Sequence, residues 1–425
     1  MHAPPPRPYD VGPATSQSAG QLQYFVFALF FIFGGITSLN DVVIPKLKGL
    51  FTLSHADAML VQSAFFAAYF LISIPAAMIV ERVGYMRTAV IGLVTMTAGC
   101  LLFIPASSAG LYWAFLLALF VLASGITIVQ VVANPLICML GAPSTAHSRL
   151  TFAQAFNSLG TTVFPYVGSI LILGSLANVD PQTLSGAELT QLRSAETHVI
   201  TTTYLGLAVA LLVVAGMVWV YRSHLKGAPP EHTPVLRMFN LLKRPRFAFG
   251  TLGIFLYVGA EVAIGSILVL YLIQGDVMGI GSEDAGKHVA YYWGGAMLGR
   301  FIGAGLLRVF SPGKVLACAA SLSIVLLAVS ANSVGAISGW SLLAIGLCNS
   351  IMFPTIFSLA SEGLGTRAAE GSGIICMAIV GGAIVPLVAG MVTDASSMRT
   401  ALVVPALCYL GIVAFGYYAR RPHAC

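Results

Sequence analysis

Long apolar stretches separated by short polar connections recur along the whole chain. Each stretch is long enough to cross the apolar core of a bilayer, which takes about 20 residues in a helix. The two longest connections, 175–197 and 223–245, are too small to fold a separate domain. The pattern therefore predicts an all-α membrane protein with twelve transmembrane helices. These predicted helices cover residues 21–45, 57–80, 88–106, 111–140, 150–174, 198–222, 246–274, 287–309, 313–331, 336–361, 369–393 and 398–419.

The composition agrees with this pattern and excludes several classes of protein. Of the 425 residues 58% are apolar and 8% are charged, and the mean hydropathy is +0.90. A soluble chain of this length needs far more charge to cover its surface. The net charge of +6 does not indicate nucleic-acid binding, because the basic residues lie in short loops between apolar stretches. The seven cysteines lie mostly inside those stretches, so we expect buried thiols rather than a disulfide framework.

The distribution of lysine and arginine predicts the orientation. With the N-terminus inside the cell, fifteen basic residues fall on the cytoplasmic side, five fall outside and Arg300 lies within a span, which accounts for all 21. Membrane proteins keep such an excess on the cytoplasmic side. Residues 1–20 are polar and Pro-rich, and the apolar run after them is too long for a signal peptide. We therefore expect a multi-pass protein of the cell inner (plasma) membrane with both termini in the cytoplasm.

The chain also repeats itself at an offset near 220. Because each half then holds an even number of helices, the halves are parallel repeats, and substrate should bind near mid-membrane between them. The predicted organisation is a disordered tail 1–20, a six-helix half 21–222, a cytoplasmic linker 223–245, a second six-helix half 246–419 and a tail 420–425. The matching residues are Arg82 and Arg308 (offset 226), Gln130–Pro135 and Asn349–Pro354 (219), and Gly160–Pro165 and Gly381–Pro386 (221).

Only two carboxylates lie well inside apolar stretches, Asp41 in the first helix and Glu261 in the seventh. An ionised carboxylate there costs roughly 2.5–3.5 kcal/mol or more, so such residues usually line a polar cavity. We predict that both take part in proton coupling; a structural hydrogen bond between helices is the alternative. Arg300 lies roughly 12 Å deeper than Arg308. It either balances a carboxylate or, as we favour, holds the cytoplasmic gate through helix carbonyls.

Carboxamides are the more specific signal. Gln130 and Asn134 share one face of the fourth helix, and Gln154 and Asn157 share one face of the fifth. Carboxamides both donate and accept hydrogen bonds, which suits the hydroxyls of a sugar. One carboxamide would simply join helices, whereas four on adjacent helices indicate a polar cavity. The other candidates for substrate contact are Ser38, Asn40, Tyr257, Trp293, whose ring could stack on a pyranose, and Asn349.

Other chemistries find no support in the sequence. No histidine lies well inside a span, so a histidine proton relay is not expected. The chain has no clustered His/Cys set, phosphate-binding loop or nucleophile motif. We therefore expect neither an enzyme nor a metal or cofactor.

Several motifs resemble a known family. The loop Ala77-Met-Ile-Val-Glu81-Arg82-Val-Gly84-Tyr-Met-Arg87 resembles the signature loop of the major facilitator superfamily, with Ala for the usual first glycine and Glu for the usual Asp. We expect Glu81, Arg82 and Arg87 to act in gating. Further motifs, spread over residues 21 to 419, resemble the fucose–galactose–glucose:proton symporter branch. They are Ser38-Leu-Asn40-Asp41, Ala133-Asn134-Pro135, Gln154-Ala-Phe-Asn157, Tyr257-Val-Gly259-Ala-Glu261 and Asn349-Ser-Ile-Met-Phe-Pro354.

The resemblance implies sugar–proton symport by rocker-switch alternating access. Asp41 matches a proton-linked Asp of the fucose symporter, and Gln154 and Asn157 match sugar-contacting amides of the family. Gln130 stands where the fucose symporter has a second proton-linked carboxylate, so its mechanism does not carry over whole. This Gln, together with Glu261, is more similar to the glucose/galactose and N-acetylglucosamine members.

The resulting interpretation is a monomeric hexose:proton symporter in a lipid bilayer, with Asp41 as the main coupling residue and Glu261 as the secondary one. Three alternatives stay open. Sodium could replace the proton, or the chain could be a proton-coupled drug exporter, whose cavity would hold fewer carboxamides. A membrane sensor that transports nothing is the third.

Overall fold

The computed structural model describes residues 23–24, 26–36, 55–109, 111–172, 186–220, 222 and 235–420. Ser38, Asn40 and Asp41 lie outside these residues, as do the tail 1–20 and most of the predicted linker. The described chain forms twelve helical spans. They are α1 Val26–Ile36, α2 His55–Val83, α3 Tyr85–Ala109, α4 Tyr112–Met139, α5 Ala146–Ile172, α6 Gly186–Val220, α7 Pro245–Leu272, α8 Ser282–Val309, α9 Pro312–Asn332, α10 Ala336–Ser361, α11 Gly365–Ala395 and α12 Met398–Tyr418.

The predicted all-helical membrane fold is confirmed. Among the described residues nine helices are long and apolar enough to cross a bilayer, namely all spans except α1, α5 and α8. The spans α5 and α8 include several polar residues, and they pack against each other between the two halves. The six cysteines that the structure describes are free.

Two helices differ from their predicted form. The span α6 begins at Gly186, twelve residues before the predicted start at 198, because its first turns are polar and hydropathy marks only the apolar part. The span α10 consists of two segments, Ala336–Asn349 and Met352–Ser361, with Ser350 and Ile351 between them. Pro354 explains this interruption, because proline has no amide hydrogen for the carbonyl four residues earlier.

The predicted repeat has a structural basis in two glycines. Gly160 of α5 faces the backbone of α1, where a Cβ atom would overlap the Phe31 carbonyl oxygen. Gly381 of α11 faces the backbone of α7, where a Cβ atom would overlap the Phe255 carbonyl oxygen. Close helix approach at small residues is the usual way in which membrane helices pack. Both halves therefore build the same contact with matching residues.

The two halves touch at one end of the bundle, where α2, α4 and α10 end and α5 and α11 begin. This end is called the closed end below. Ser148 Oγ of α5 donates to the Ala304 carbonyl of α8 at 2.6 Å, and Ser372 Oγ of α11 donates to the Val131 carbonyl of α4 at 2.8 Å. The described contacts between the halves continue only to mid-span, where Phe66 of α2 packs on Gly382.

We predict that Gly381→Ala destabilises the protein although alanine favours helices. The added methyl group meets a backbone carbonyl that cannot move aside, and such overpacking typically costs about 1–3 kcal/mol. Gly390→Ala is the matched control, because it lies on the same span with no neighbouring atom within 4 Å. Thermal unfolding in detergent should show a lower Tm for Gly381→Ala alone. Equal Tm values for the two variants would contradict the close approach of α7 and α11.

Candidate functional site

The predicted carboxamides of the N-terminal half lie together at mid-span. Tyr69 OH of α2 donates to Gln130 Oε1 of α4 at 2.7 Å, and Gln154 Nε2 of α5 lies 3.4 Å from Asn134 Oδ1. All four of these side chains are buried, and the Asn134 Nδ2 atom has no hydrogen-bond partner among the described residues. Asn157 is partly exposed and donates to the Phe30 carbonyl of α1 at 3.3 Å. The cluster therefore joins four helices through polar groups.

The C-terminal half holds a matching cluster around Asn349. Its Nδ2 atom donates to Tyr292 OH of α8 at 2.8 Å, and its Oδ1 atom accepts from Tyr409 OH of α12 at 2.6 Å. Tyr257 OH of α7 is 2.7 Å from Glu261 Oε1 and 3.1 Å from the Asn349 carbonyl oxygen. Asn349 is fully buried, so in this conformation it orders two tyrosines and has no free surface.

Of the tyrosines in the two clusters, Tyr257 was predicted, whereas Tyr69, Tyr292 and Tyr409 were missed. A signal for Tyr69 and Tyr292 exists in the sequence. Tyr69 and Tyr292 are separated by 223 residues, close to the repeat offset. Each binds the carboxamide that lies five residues before the proline of its half, Gln130 or Asn349. A tyrosine paired with a carboxamide is thus part of the repeated unit.

Arg300 crosses from one half to the other. Its Nε atom donates to the Ser350 carbonyl of α10 at 3.3 Å, and its Nη1 atom donates to the Gln154 carbonyl of α5 at 3.3 Å and to the Ser158 hydroxyl. Arg300 thus donates to one helix carbonyl in each half, and its role in holding the cytoplasmic gate stays a prediction. The described contacts include no direct ion pair between Arg300 and Glu261.

Three of the predicted substrate-binding and proton-coupling residues that the structure describes keep accessible surface at mid-span. Trp293 is 46% exposed, and its ring packs beside Gly265, one turn beyond Glu261 on the same face of α7. Glu261 and Asn157 are partly exposed. An aromatic ring, a carboxylate and a carboxamide therefore keep accessible surface at mid-span.

A second set of polar contacts joins the halves at the closed end. His147 of α5 lies 2.6 Å from Ser358 Oγ and 3.1 Å from Glu362 Oε1, both at the end of α10. Arg246 of α7 pairs with the same Glu362 carboxylate. Sequence analysis missed His147, because α5 begins at residue 146 and was predicted to begin at 150.

The predicted gating loop lies at this end as well. Gly84 has φ +85°, a conformation that favours glycine, and it forms the turn between α2 and α3. Arg82 and Arg87 are exposed, and Glu81 is partly buried. Among the described residues no group of three His, Cys, Asp or Glu side chains is placed to hold a metal ion.

The chain is similar to known proteins over most of its length. The family model for the Major Facilitator Superfamily matches residues 26–379. The chain belongs to the major facilitator superfamily. A glucose/galactose transporter of Brucella abortus (biovar 1, strain 9-941) is 47% identical over 399 residues, which cover 92% of both chains. The L-fucose-proton symporter of Escherichia coli (strain K12) is 32% identical over 426 residues, which cover 96% of both.

A solved structure agrees with the fold of this superfamily member. The crystal structure of the major facilitator superfamily transporter FucP in the outward conformation superposes with a TM-score of 0.86 and 31% sequence identity. The superposition covers 94% of this chain and 99% of the FucP chain. As a major facilitator protein, the chain is a multi-pass membrane transporter.

Proposed function

We propose that the chain is a sugar:proton symporter of the cell inner membrane. One observation carries the proposal: each half holds a cluster of carboxamides and tyrosine hydroxyls at mid-span, and the partly exposed carboxylate of Glu261 belongs to the cluster of the C-terminal half. Such groups both donate and accept hydrogen bonds, as sugar hydroxyls require. Support also comes from the relatives named glucose/galactose transporter and L-fucose-proton symporter. The substrate class is therefore a hexose, with glucose and galactose as the first compounds to test.

The sugar contacts Asn157, Glu261 and Trp293, the residues with accessible surface at mid-span. The Trp293 ring stacks on the apolar face of the pyranose, while the polar side chains bind its hydroxyls. The buried carboxamides lie behind these sugar-contacting residues and hold them in position through the two clusters. These carboxamides are Gln130, Asn134, Gln154 and Asn349. Ser38 and Asn40 are the remaining residues proposed for sugar binding.

The proton binds to Asp41 and Glu261. Gln130 cannot titrate, so the N-terminal half contributes one deep carboxylate, and Glu261 supplies the second from the other half. Coupling follows if sugar and proton together bind better than either does alone, a reciprocal free energy that links the two ligands.

The contacts at the closed end describe one state of an alternating-access cycle. The basic residues put this end on the cytoplasmic side, with both termini there, so the site opens outward, as in the similar outward FucP structure. When the cytoplasmic gate opens, Arg300 and His147 separate from the opposite half. The loop that contains Glu81, Arg82 and Arg87 separates from the opposite half in the same step. The halves 21–222 and 246–419 then rock about the central site, with 223–245 as their linker. A single chain is sufficient for this cycle, as a monomer.

Asp41→Asn should abolish the accumulation of sugar driven by a pH gradient, because an amide cannot carry the proton. Exchange of labelled for unlabelled glucose or galactose between loaded proteoliposomes should continue, since exchange needs no net proton movement. Initial rates of both processes are measured on the same preparation. A variant that still concentrates sugar under the pH gradient would contradict the role of Asp41. If the wild type accumulates sugar under a sodium gradient alone, the coupling ion is sodium and not the proton.

Asn157→Ala should weaken sugar binding by about 1–3 kcal/mol, or roughly ten- to a hundredfold, because sugar hydroxyls lose a hydrogen-bonding partner. The matched control is Asn332→Ala at the far end of α9, where the carboxamide only donates to the Ala328 carbonyl of its own helix at 2.8 Å. Binding is measured by titrating glucose and galactose against the purified proteins. Equal affinity in the two variants would show that Asn157 only joins helices.

A further inference from the structure

The Tyr257 hydroxyl lies between two oxygen acceptors. It is 2.7 Å from Glu261 Oε1 and 3.1 Å from the Asn349 carbonyl oxygen. A phenol has one proton to donate, whereas an ionised carboxylate and a carbonyl only accept. While Glu261 is ionised, Tyr257 therefore donates to one acceptor at a time, and the other acceptor loses this donor.

Protonation of Glu261 removes the conflict. The carboxyl O–H of Glu261 then donates to the Tyr257 oxygen, and the Tyr257 proton is free for the Asn349 carbonyl, so both hydrogen bonds form together. The tyrosine keeps its own proton throughout, and only the direction of its O–H bond changes. The two charge states of Glu261 thus favour different hydrogen bonds at Asn349.

The Asn349 carbonyl lies beside the interruption of α10. The next carbonyl, that of Ser350, has lost its helical donor because Pro354 has no amide hydrogen, and it accepts from Arg300 at 3.3 Å. The same guanidinium donates to Ser158 in the other half. Adjacent carbonyls at the interruption are therefore held by the proton site on one side and by the contact between the halves on the other.

We infer that Tyr257 transmits the protonation state of Glu261 to the interruption of α10, and through Arg300 to the contact between the halves. The inference rests on the proposed function, because it gives the proposed proton coupling a route. Tyr257 is a positioning residue in this route and not a sugar contact. Its side chain is 1% exposed, which leaves no surface for a sugar in this conformation.

Among the residues that the structure describes, few other groups that titrate or carry charge surround Glu261. On its own helix it faces Tyr257, and the neighbouring span α8 contributes Tyr292 and Arg300. Tyr409 approaches from α12, and Cys348 of α10 lies near Tyr409. The remaining charged side chains that the structure describes on the elements packed against α7 lie near the ends of the bundle; they are Lys243, Asp284, Lys287, Arg308, Glu362, Arg367, Glu370, Asp394, Arg399 and Arg420. A pH response that depends on the phenol of Tyr257 can thus be traced to Glu261.

The test compares pH dependence in proteoliposomes that contain Tyr257→Phe or Glu261→Gln. The readout is the ratio of initial glucose or galactose uptake at acidic and at alkaline external pH. The wild type should show a large ratio, whereas both variants should show ratios within about twofold of one. The double variant should add nothing further, since residues that act through each other are not additive. Sugar exchange should stay within about threefold of the wild type in Tyr257→Phe.

Tyr271→Phe is the matched control. Tyr271 is a buried tyrosine on the same helix, and its hydroxyl binds the Ser330 carbonyl at 2.9 Å and Ser338 Oγ at 3.0 Å, away from Glu261. This variant should keep the pH ratio of the wild type. If Tyr257→Phe does not fold, Glu261→Asp serves instead, because it keeps the acid but withdraws it from the phenol, and it should lose the ratio in the same way.

The outcomes separate this inference from the proposed function. A pH ratio that is lost in Glu261→Gln but kept in Tyr257→Phe or Glu261→Asp would overturn the inference and leave symport intact. An equal loss in Tyr271→Phe would also overturn it, since any missing phenol would then suffice. A wild type whose uptake does not respond to pH would overturn both.

Discussion

Backbone hydrogen bonding inside the membrane is the constraint on which this structure depends. Lipid offers no donor to a carbonyl, so each proline within a span leaves one that another part of the protein must satisfy. Pro135 frees the Val131 carbonyl, which accepts from Ser372 in the opposite half at 2.8 Å. Pro354 frees the Ser350 carbonyl, which accepts from Arg300. The matching prolines of the repeat thus each leave a carbonyl that a polar side chain satisfies, and one of the two bonds, from Ser372 to Val131, joins the halves.

This arrangement places the polar chemistry and the moving interface at the same residues. Arg300 belongs to the C-terminal half, yet it donates to the Gln154 carbonyl and the Ser158 hydroxyl of the N-terminal half, next to Asn157, the carboxamide that we propose for sugar binding. The interruption in α10 brings Glu261 into the same network through Tyr257. A change of charge or of ligand at mid-span can therefore reach the closed end without a long chain of intermediates.

The sequence was sufficient to predict the helical membrane fold and the group of carboxamides on adjacent helices, because hydropathy, helical spacing and the repeat are local or periodic signals. Gly160 and Gly381 were recognised as repeated residues, and the structure explains them by helix contacts. Tyr409 and Ser372 could not be predicted, since an isolated polar residue in an apolar span does not indicate which helix it faces. His147 was missed for a different reason, because hydropathy does not mark the polar first turn of a helix.

Distances between the halves at the closed end test the account most directly. Spin labels at Val83→Cys and Val309→Cys, two exposed positions at this end with one in each half, can be introduced into a variant without native cysteines. Arg300→Met removes the donors that cross the interface but keeps most of the side-chain length. The account predicts a new, longer distance in this variant and none in Arg399→Met, whose arginine binds the Ala331 and Ser333 carbonyls within one half. The same distance distribution in Arg300→Met and in the unsubstituted protein would contradict the claim that Arg300 holds the halves together.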